Sequence, residues 1–553
     1  MIASSRPAIA RCLSTCLLSG SLAAAAVYAA EPPPPKLVVT IAVDQFSADV
    51  FTEYRPLYQA GLKRLAGGVV FPRGHQSHAS TETCPGHSTI LTGARPGRTG
   101  IIANDWQDPS LPRTENGKQT FMVYCVEKPG AAGSDADKKV LSHESLLVPT
   151  LGDRMKARDP ATRVVAVSGK DRSAIMLGGH DADLTLWWTS KGFVTYDGKE
   201  SSIPKEIADK VNANLRKSYS QPTVPRLPAA CASKSREIKI TDGVSIGTLQ
   251  SFPGNSRRWR ATPAMDAFTV DAALAAVKSM NLGGKGSTDL LAVSLSGTDY
   301  VGHYYGTEGA EMCTQQLALD QTIGRLLNAL DKLNVPYVVA MTADHGGADA
   351  TERNRARGVV AAERISADLF PVNISAALES ELQGLPKPIV LGPREFANDV
   401  YLNVGIPAER RDGVLQAAVL KYRQHPQVAA VFTGNELIAA APPSGPIDEW
   451  TLLDRAKASF NPQRSGDLIV LLKPYISLYP APKNPDTDYT SSHGSPWSYD
   501  RRVPIVFWWK GVKGFEQPTP IETVDIAPTL AKLIGLDVPA SEFDGRALPV
   551  VQP

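Results

Sequence analysis

The chain lacks an excess of charge of either sign: 58 Lys and Arg stand against 56 Asp and Glu over 553 residues. Residues 1–30 hold Arg6 and Arg11 and no acid, so the remainder balances at 56 against 56. Without a basic surplus there is no general attraction for nucleic acid or an anionic membrane surface, and neither is expected as a partner. Past the N-terminus no apolar run approaches the roughly 20 residues that a membrane span needs. No repeat with a period of roughly 20–50 residues occurs, which excludes solenoids and propellers. Cysteine is scarce, at six residues. What remains, 43% apolar and 21% charged, is the composition of a soluble globular protein large enough for one domain with insertions or for two domains.

The N-terminus pairs Arg6 and Arg11 with an apolar run from Leu13 to Val27 and small residues at Ala29 and Ala30. This reads as a secretory signal peptide over residues 1–30, with residues 31–553 as the mature chain, periplasmic or extracellular and free of the membrane after cleavage. Cys12 and Cys16 leave with it. Cys84, Cys125, Cys231 and Cys313 then face an oxidising compartment, where two disulfides are expected. Three pairings are open, and separation along the chain favours Cys84 with Cys125 and Cys231 with Cys313.

The most informative stretch is Ser80 to Asp105. Pro85 suits the first turn of a helix, Gly86 and Ser88 keep that turn open, and Ile90 and Leu91 begin its apolar face. A helix therefore begins near Thr83, whose hydroxyl is either an ordinary cap or a nucleophile aimed at a phosphate or sulfate group by the helix dipole. Four buried-strand patterns end in chemistry. Leu37 to Val43 leads to Asp44, Arg163 to Ser168 leads to Lys170 and Arg172, Asp289 to Leu295 leads to Asp299 and His303, and Val338 to Met341 leads to Asp344 and His345. Ligands collect at the carboxyl ends of parallel strands. Asp and His form the donor set expected of catalytic zinc. A further histidine, His493, lies in a Gly- and Ser-rich loop.

Other segments carry less. Residues 195–265 look like a polar insertion with no assignable chemistry, and residues 350–465 like a cap built on a β-α-β piece. Asp467 to Leu472 is expected to rejoin the main sheet, followed by a strand at Val503 to Trp509 and a last helix from Thr523. His75, His78, His87, His143, His180 and His425 read as surface or satisfied core histidines, and the Trp187-Trp188 and Trp508-Trp509 pairs as packing. Asp349 and Glu352 are candidates for an extra cation.

Taken together, Asp44, Thr83, Asn104, Lys170 with Arg172, Asp299 with His303, Asp344 with His345, and His493 resemble the alkaline phosphatase superfamily in type and order. Specifically they resemble its secreted, phosphate-irrepressible bacterial monoesterases. The resemblance implies an α/β fold with a mostly parallel central sheet flanked by helices and carrying cap insertions. It implies two zinc ions per chain, one held by Asp44, Thr83, Asp344 and His345, the other by Asp299, His303 and His493. Thr83 would be phosphorylated transiently, with Asn104, Lys170 and Arg172 holding the nonbridging oxygens of small phosphate monoesters during broad phosphate scavenging.

Nucleotide phosphodiesterases of the superfamily share the Thr, Asn and metal set but lack the Lys-x-Arg pair, and the Cys/Ser-x-Pro-x-Arg pattern of sulfatases is absent. The serine enzymes with a third, magnesium site have no counterpart to that site here. A reading from another class, a periplasmic zinc-binding protein without turnover, leaves Thr83, Asn104 and the two cations without a purpose. Neither the physiological substrate nor the oligomeric state is legible.

Overall fold

Every side chain of Leu37–Val43 is buried, because this β-branched run lies between two parallel neighbours in the middle of a sheet covered on both faces. Its alternate residues divide between two cores: Leu37, Val39, Ile41 and Val43 pack on one face, Val38 and Ala42 on the other. The computed structural model describes residues 34–115, 117–130, 139–392 and 398–551. The expected signal peptide at residues 1–30 lies outside them.

Among the described residues the central sheet has ten strands. These are β1 (Leu37–Val43), β2 (Val69–His75), β3 (Val164–Ser168), β4 (Leu184–Thr189), β5 (Gly192–Val194), β6 (Asp289–Leu295), β7 (Tyr337–Thr342), β8 (Arg502–Trp509), β9 (Phe515–Glu516) and β10 (Ile521–Glu522). Their order is β9-β2-β8-β7-β1-β6-β3-β4-β5, with β10 also paired to β2. From β7 through β4 the neighbours are parallel, whereas β8 runs antiparallel to both β7 and β2 and β5 turns back along β4. The mostly parallel α/β sheet expected from the sequence is present. Parallel strands end on one edge, so the segments that follow β1, β3, β6 and β7 arrive at the same place.

The helices that matter for that edge are α1 (Thr83–Thr92), α2 (Asp171–Gly178), α3 (Pro263–Met280), α4 (Gly297–Tyr305), α5 (Gly309–Asp331) and α6 (Ile526–Leu533). α1 and α6 contribute Ile90, Leu91, Ile526 and Leu530 to one core, and α3 and α5 line the other. The close approach of α1 to the β7 loop depends on Gly86, where an added Cβ would sit 2.0 Å from the Asp344 carbonyl oxygen.

The favoured disulfide pairing is the one found, Cys84–Cys125 and Cys231–Cys313. The second ties residues 195–265, which hold a helix (Asn212–Ser220) and a small hairpin (Ile238–Thr241 with Val244–Ile246), to α5. The tryptophan pairs do pack: Trp188 stacks on Trp259 at 5.6 Å between ring centres and Trp508 contacts Tyr337 at 5.7 Å.

One strand lies elsewhere than expected. Leu468–Leu472 does not rejoin the central sheet but forms the centre of a separate sheet, antiparallel to both Asp399–Leu402 and Val428–Thr433. Its residues alternate between two further apolar clusters, with Leu468, Val470 and Leu472 on one side and Ile469 and Leu471 on the other. A doubly buried strand gives the same continuous apolar run in either sheet, so the sequence pattern could not distinguish them. Among the described residues no helix is long and apolar enough to cross a membrane.

Candidate active site

α1 begins at Thr83 itself, and Glu82 occupies the cap position in extended geometry without a side-chain cap bond. Thr83 is therefore the first helical residue, and its hydroxyl does not cap the helix. Instead, Thr83 Oγ1 accepts from Lys170 Nζ at 3.3 Å and from Arg172 Nη2 at 3.5 Å. Both cations come from the start of α2, just past the end of β3.

Lys170 also bridges two strand ends, with Nζ 2.7 Å from Asp44 Oδ2 and 2.6 Å from Asp299 Oδ2. Burial opposes its charge, but Asp299 and Asp44 outweigh that penalty and hold its pKa above the ordinary lysine value. Asp44 shows the opposite imbalance: burial and then the like charges of Asp299 and Asp344 push it well above the usual carboxylate range. Three buried carboxylates thus share two cations, Lys170 and the partly buried Arg172, an excess of negative charge that an interior holds poorly without a further cation.

The remaining residues form two triangles of donor atoms. In one, Asp299 Oδ1 lies 3.4 Å from both His303 Nε2 and His493 Nε2, and the two imidazole nitrogens are 3.2 Å apart. In the other, His345 Nε2 lies 3.6 Å from Asp44 Oδ1 and 3.4 Å from Asp344 Oδ2. Ligand atoms around a tetrahedral ion with bonds of about 2.0–2.2 Å stand about 3.3–3.6 Å apart. Octahedral magnesium, with bonds of about 2.0–2.1 Å, brings them to about 2.9 Å. The observed edges suit a zinc-sized tetrahedral site.

The proton positions suit it as well. Each histidine places Nδ1 on a backbone carbonyl: His303 on Ser491 at 3.0 Å, His345 on Gly346 at 2.8 Å and His493 on Thr81 at 2.8 Å. That bond keeps the proton on Nδ1 and leaves the Nε2 lone pair facing the cluster. Burial pushes His303 down to about 4 and His345 down to about 3, which favours the neutral, ligating form. For His493 burial acts in the same sense, but the Asp299 carboxylate prevails and draws its pKa upward. Asp44 Oδ1, Asp299 Oδ1, Asp344 Oδ2 and His345 Nε2 are buried with no hydrogen-bond partner among the described residues. The triangles adjoin: the His345 and His493 rings stack at 3.7 Å, and Asp299, His345 and His493 also offer atoms within 4.8 Å of one another.

Asn104 is held from three directions. Its Oδ1 accepts from Cys84 N at 2.9 Å, its carbonyl from Cys125 N at 2.9 Å, and its N–H donates to Glu82 Oε2 at 2.7 Å. With Oδ1 occupied, the amide NH₂ is the end left for an incoming acceptor.

Two further contributors, Glu82 and Tyr124, carry no signal in the sequence. Glu82 fixes Asn104, and burial pushes its carboxyl up to about 7. Tyr124 donates to Asp171 Oδ1 at 2.7 Å and accepts from Arg172 Nη1 at 3.4 Å, steadying the guanidinium. His87, expected to be a surface or satisfied core histidine, is bonded to Ser294 Oγ at 2.9 Å and to the Thr83 carbonyl at 2.9 Å, but its Nδ1 is also 3.0 Å from Asp344 Oδ2, and it offers a ring nitrogen in a group with Asp44 and Asp344 whose atoms lie within 4.8 Å of one another, so it belongs to the site and is not packing alone. Its place one turn after Thr83 on α1 was the available signal. The extra cation considered for Asp349 and Glu352 is not supported, because Arg353 pairs with the first at 2.6 Å and Arg364 with the second at 2.8 Å.

A family model described as type I phosphodiesterase / nucleotide pyrophosphatase matches residues 38–496. The chain belongs to this family of the alkaline phosphatase superfamily. Among its superfamily relatives, alkaline phosphatase PhoK of a Sphingomonas species is 47% identical over 93% of this chain and 91% of its own length. Alkaline phosphatase PhoD of Zymomonas mobilis is 44% identical over 93% of this chain and 88% of its own. The crystal structure of wild-type alkaline phosphatase PafA superposes with a TM-score of 0.77 at 26% identity, covering 94% of this chain and 99% of that one.

Proposed function

We propose that this superfamily member is a secreted phosphate monoesterase that uses two zinc ions per chain and forms a transient phosphothreonine at Thr83. The observation that carries the reading is the convergence of Lys170 and Arg172 on Thr83 Oγ1 at the N-terminus of α1. Asp44, Asp344 and His345 would hold one ion beside Thr83, and Asp299, His303 and His493 the other. When bound, zinc supplies Lewis-acid charge that favours the ionised threonine hydroxyl and the departing oxygen.

The protein's own groups do the rest. α1 aims Thr83 Oγ1 at phosphorus, and the positive end of its dipole favours the anion, while the Cys84 N–H is spent on holding Asn104 Oδ1. A bond forms from Oγ1 to phosphorus as the bond to the leaving oxygen breaks. Water then attacks the phosphothreonine, releasing inorganic phosphate and restoring the hydroxyl. Arg172 spans two nonbridging oxygens with its planar fork, Lys170 adds a compact charge and the Asn104 NH₂ donates to a third acceptor. A monoester offers a dianionic group with three nonbridging oxygens. A diester offers one charge fewer and an organic substituent in place of one oxygen.

The pair of cations is thus the test of substrate class. Losing one such contact costs on the order of a hundredfold in rate. Arg172→Ala should lower kcat/KM for an aryl phosphate monoester by about that factor and affect the matching diester much less. Equal losses on both substrates would remove the argument for a monoesterase. The second reading, a nucleotide phosphodiesterase, draws on the description of the matching family and requires a diester preference in the wild type.

Metal assignment is tested separately. His493→Ala removes one corner of the Asp299 triangle, and metal analysis of the purified variant should return close to one tightly bound zinc ion per chain where the wild type holds two. Retention of both would show that the late histidine does not ligate. The signal peptide read in residues 1–30 supports export and a phosphate-scavenging role, checked by locating activity in periplasmic or culture fractions.

A further inference from the structure

The insertion of residues 195–265, which carried no chemistry in the sequence, ends against the helix that bears Asp299 and His303. Its short turn Arg257–Ala261 lies beside α4. There the Arg260 guanidinium sits 4.4 Å from the centre of the Tyr300 ring, and its Nη1 donates to Tyr300 Oη at 3.3 Å. Lys170 Nζ lies 5.2 Å from the centre of the same ring. One tyrosine therefore links the cation at Thr83 to a second cation farther out.

Arg260 differs from most arginines near the site in what it lacks. Its neighbour Arg258 is engaged by Tyr305 Oη at 2.8 Å, by Gln250 Oε1 at 3.2 Å and by Asp486 at 3.7 Å. Arg260, half-buried, has no ion pair with Asp or Glu among the described residues; its Nε bonds to the Arg257 carbonyl at 3.3 Å, and a side-chain hydrogen bond also joins it to Tyr304. Aromatic faces continue from it toward the second metal triangle. Tyr489 stacks on His303 at 4.3 Å with the ring planes 17° apart, and Tyr304 meets Tyr489 edge-on at 5.1 Å. A guanidinium has five N–H donors, more than the two tyrosine hydroxyls and one carbonyl here engage, so this one, backed by aromatic rings, partly dehydrated and without a carboxylate, can offer the remainder to an anion.

The place of this cation decides what the anion belongs to. Thr83, Lys170 and Arg172 surround the transferred phosphoryl group, whereas the rings of Tyr300 and Tyr489 flank Asp299 and His303, on the side where the leaving oxygen departs. We propose that Arg260, with Tyr300 and Tyr489, forms a subsite for a second anionic group on the leaving group. The favoured substrates are then phosphate monoesters whose alcohol portion carries a further phosphate or carboxylate. This rests on the monoesterase reading and adds a substrate class to it.

The experiment compares phenyl phosphate with a phenyl phosphate carrying a ring carboxylate, in the zinc-loaded wild type, Arg260→Met and Arg260→Lys. The readout is the ratio of kcat/KM for the doubly anionic substrate to that for phenyl phosphate. A charge-assisted contact is worth about ten- to hundredfold, so Arg260→Met should lower the ratio by about that much, chiefly through KM, and Arg260→Lys should recover a substantial part. If Arg260 only supports the packing of α4, both substrates suffer alike and the ratio stays fixed, which overturns the subsite. A rise in the inhibition constant of inorganic phosphate as large as the fall in the ratio would place Arg260 on the transferred group and also overturn it. A wild type that fails to hydrolyse phenyl phosphate overturns the monoesterase reading itself, whereas an active wild type with an unchanged ratio overturns the subsite alone.

Discussion

Thr83→Ala is expected to lose nearly all turnover of phosphate monoesters, by a factor on the order of 10⁴ to 10⁶, the scale seen when a covalent nucleophile is removed. The loss should fall on kcat, because the groups that hold the substrate stay in place. Lys170 keeps its contacts to Asp44 and Asp299, and α1 does not depend on the Thr83 side chain for its cap. The variant should therefore fold, bind metal and bind inorganic phosphate. Thr83→Ser retains a hydroxyl and should retain most of the activity. Acid-quenched enzyme analysed by peptide mass spectrometry should carry phosphate on Thr83 in the wild type, on the serine in Thr83→Ser and nowhere in Thr83→Ala. Phosphate on any other side chain would assign the nucleophile elsewhere.

Removal of metal is the second large effect. Dialysis against a strong chelator should abolish activity, and zinc should restore it, whereas magnesium should not. The reason lies in the donor set: carboxylate and imidazole atoms spaced as around a tetrahedral ion match zinc better than an octahedral, oxygen-preferring cation. The melting temperature should fall along with activity. Asp44, Asp299 and Asp344 are all buried and Lys170 pairs directly with only the first two, and an ion that binds only the folded chain stabilises it by about 4 kcal/mol at a free concentration a thousand times its Kd. Activity that survives exhaustive chelation, with zinc analysis near zero, would refute the metal assignment.

Much of the site was legible because strand chemistry is local. The runs ending at Val43, Ser168, Leu295 and Thr342 announce themselves as buried strands, and parallel pairing then brings Asp44, Lys170, Asp299 and Asp344 to one edge. His493 has no such signal. It sits in an irregular loop, and only the resemblance to the superfamily pointed to it; the structure places its Nε2 beside Asp299 and His303. Leu468–Leu472 shows the limit of pattern reading, since a run buried on both faces states that it is central without stating in which sheet. Glu82 and Tyr124 were illegible for a different reason. Each acts by holding another residue, Asn104 or Arg172, and such support depends on distances that no spacing in the sequence encodes. Arg260 lies in a segment whose irregular sequence gave no hint of its approach to Tyr300.

If the pair at Lys170 and Arg172 makes this family member a monoesterase, a comparison of kcat/KM for three aryl esters with one leaving group, a phosphate monoester, a phosphate diester and a sulfate ester, reads it out most directly. The zinc-loaded wild type is expected to hydrolyse the monoester fastest, the diester slowly and the sulfate ester least. A wild type that prefers the diester would contradict the monoesterase assignment and return the chain to the phosphodiesterase reading of its family.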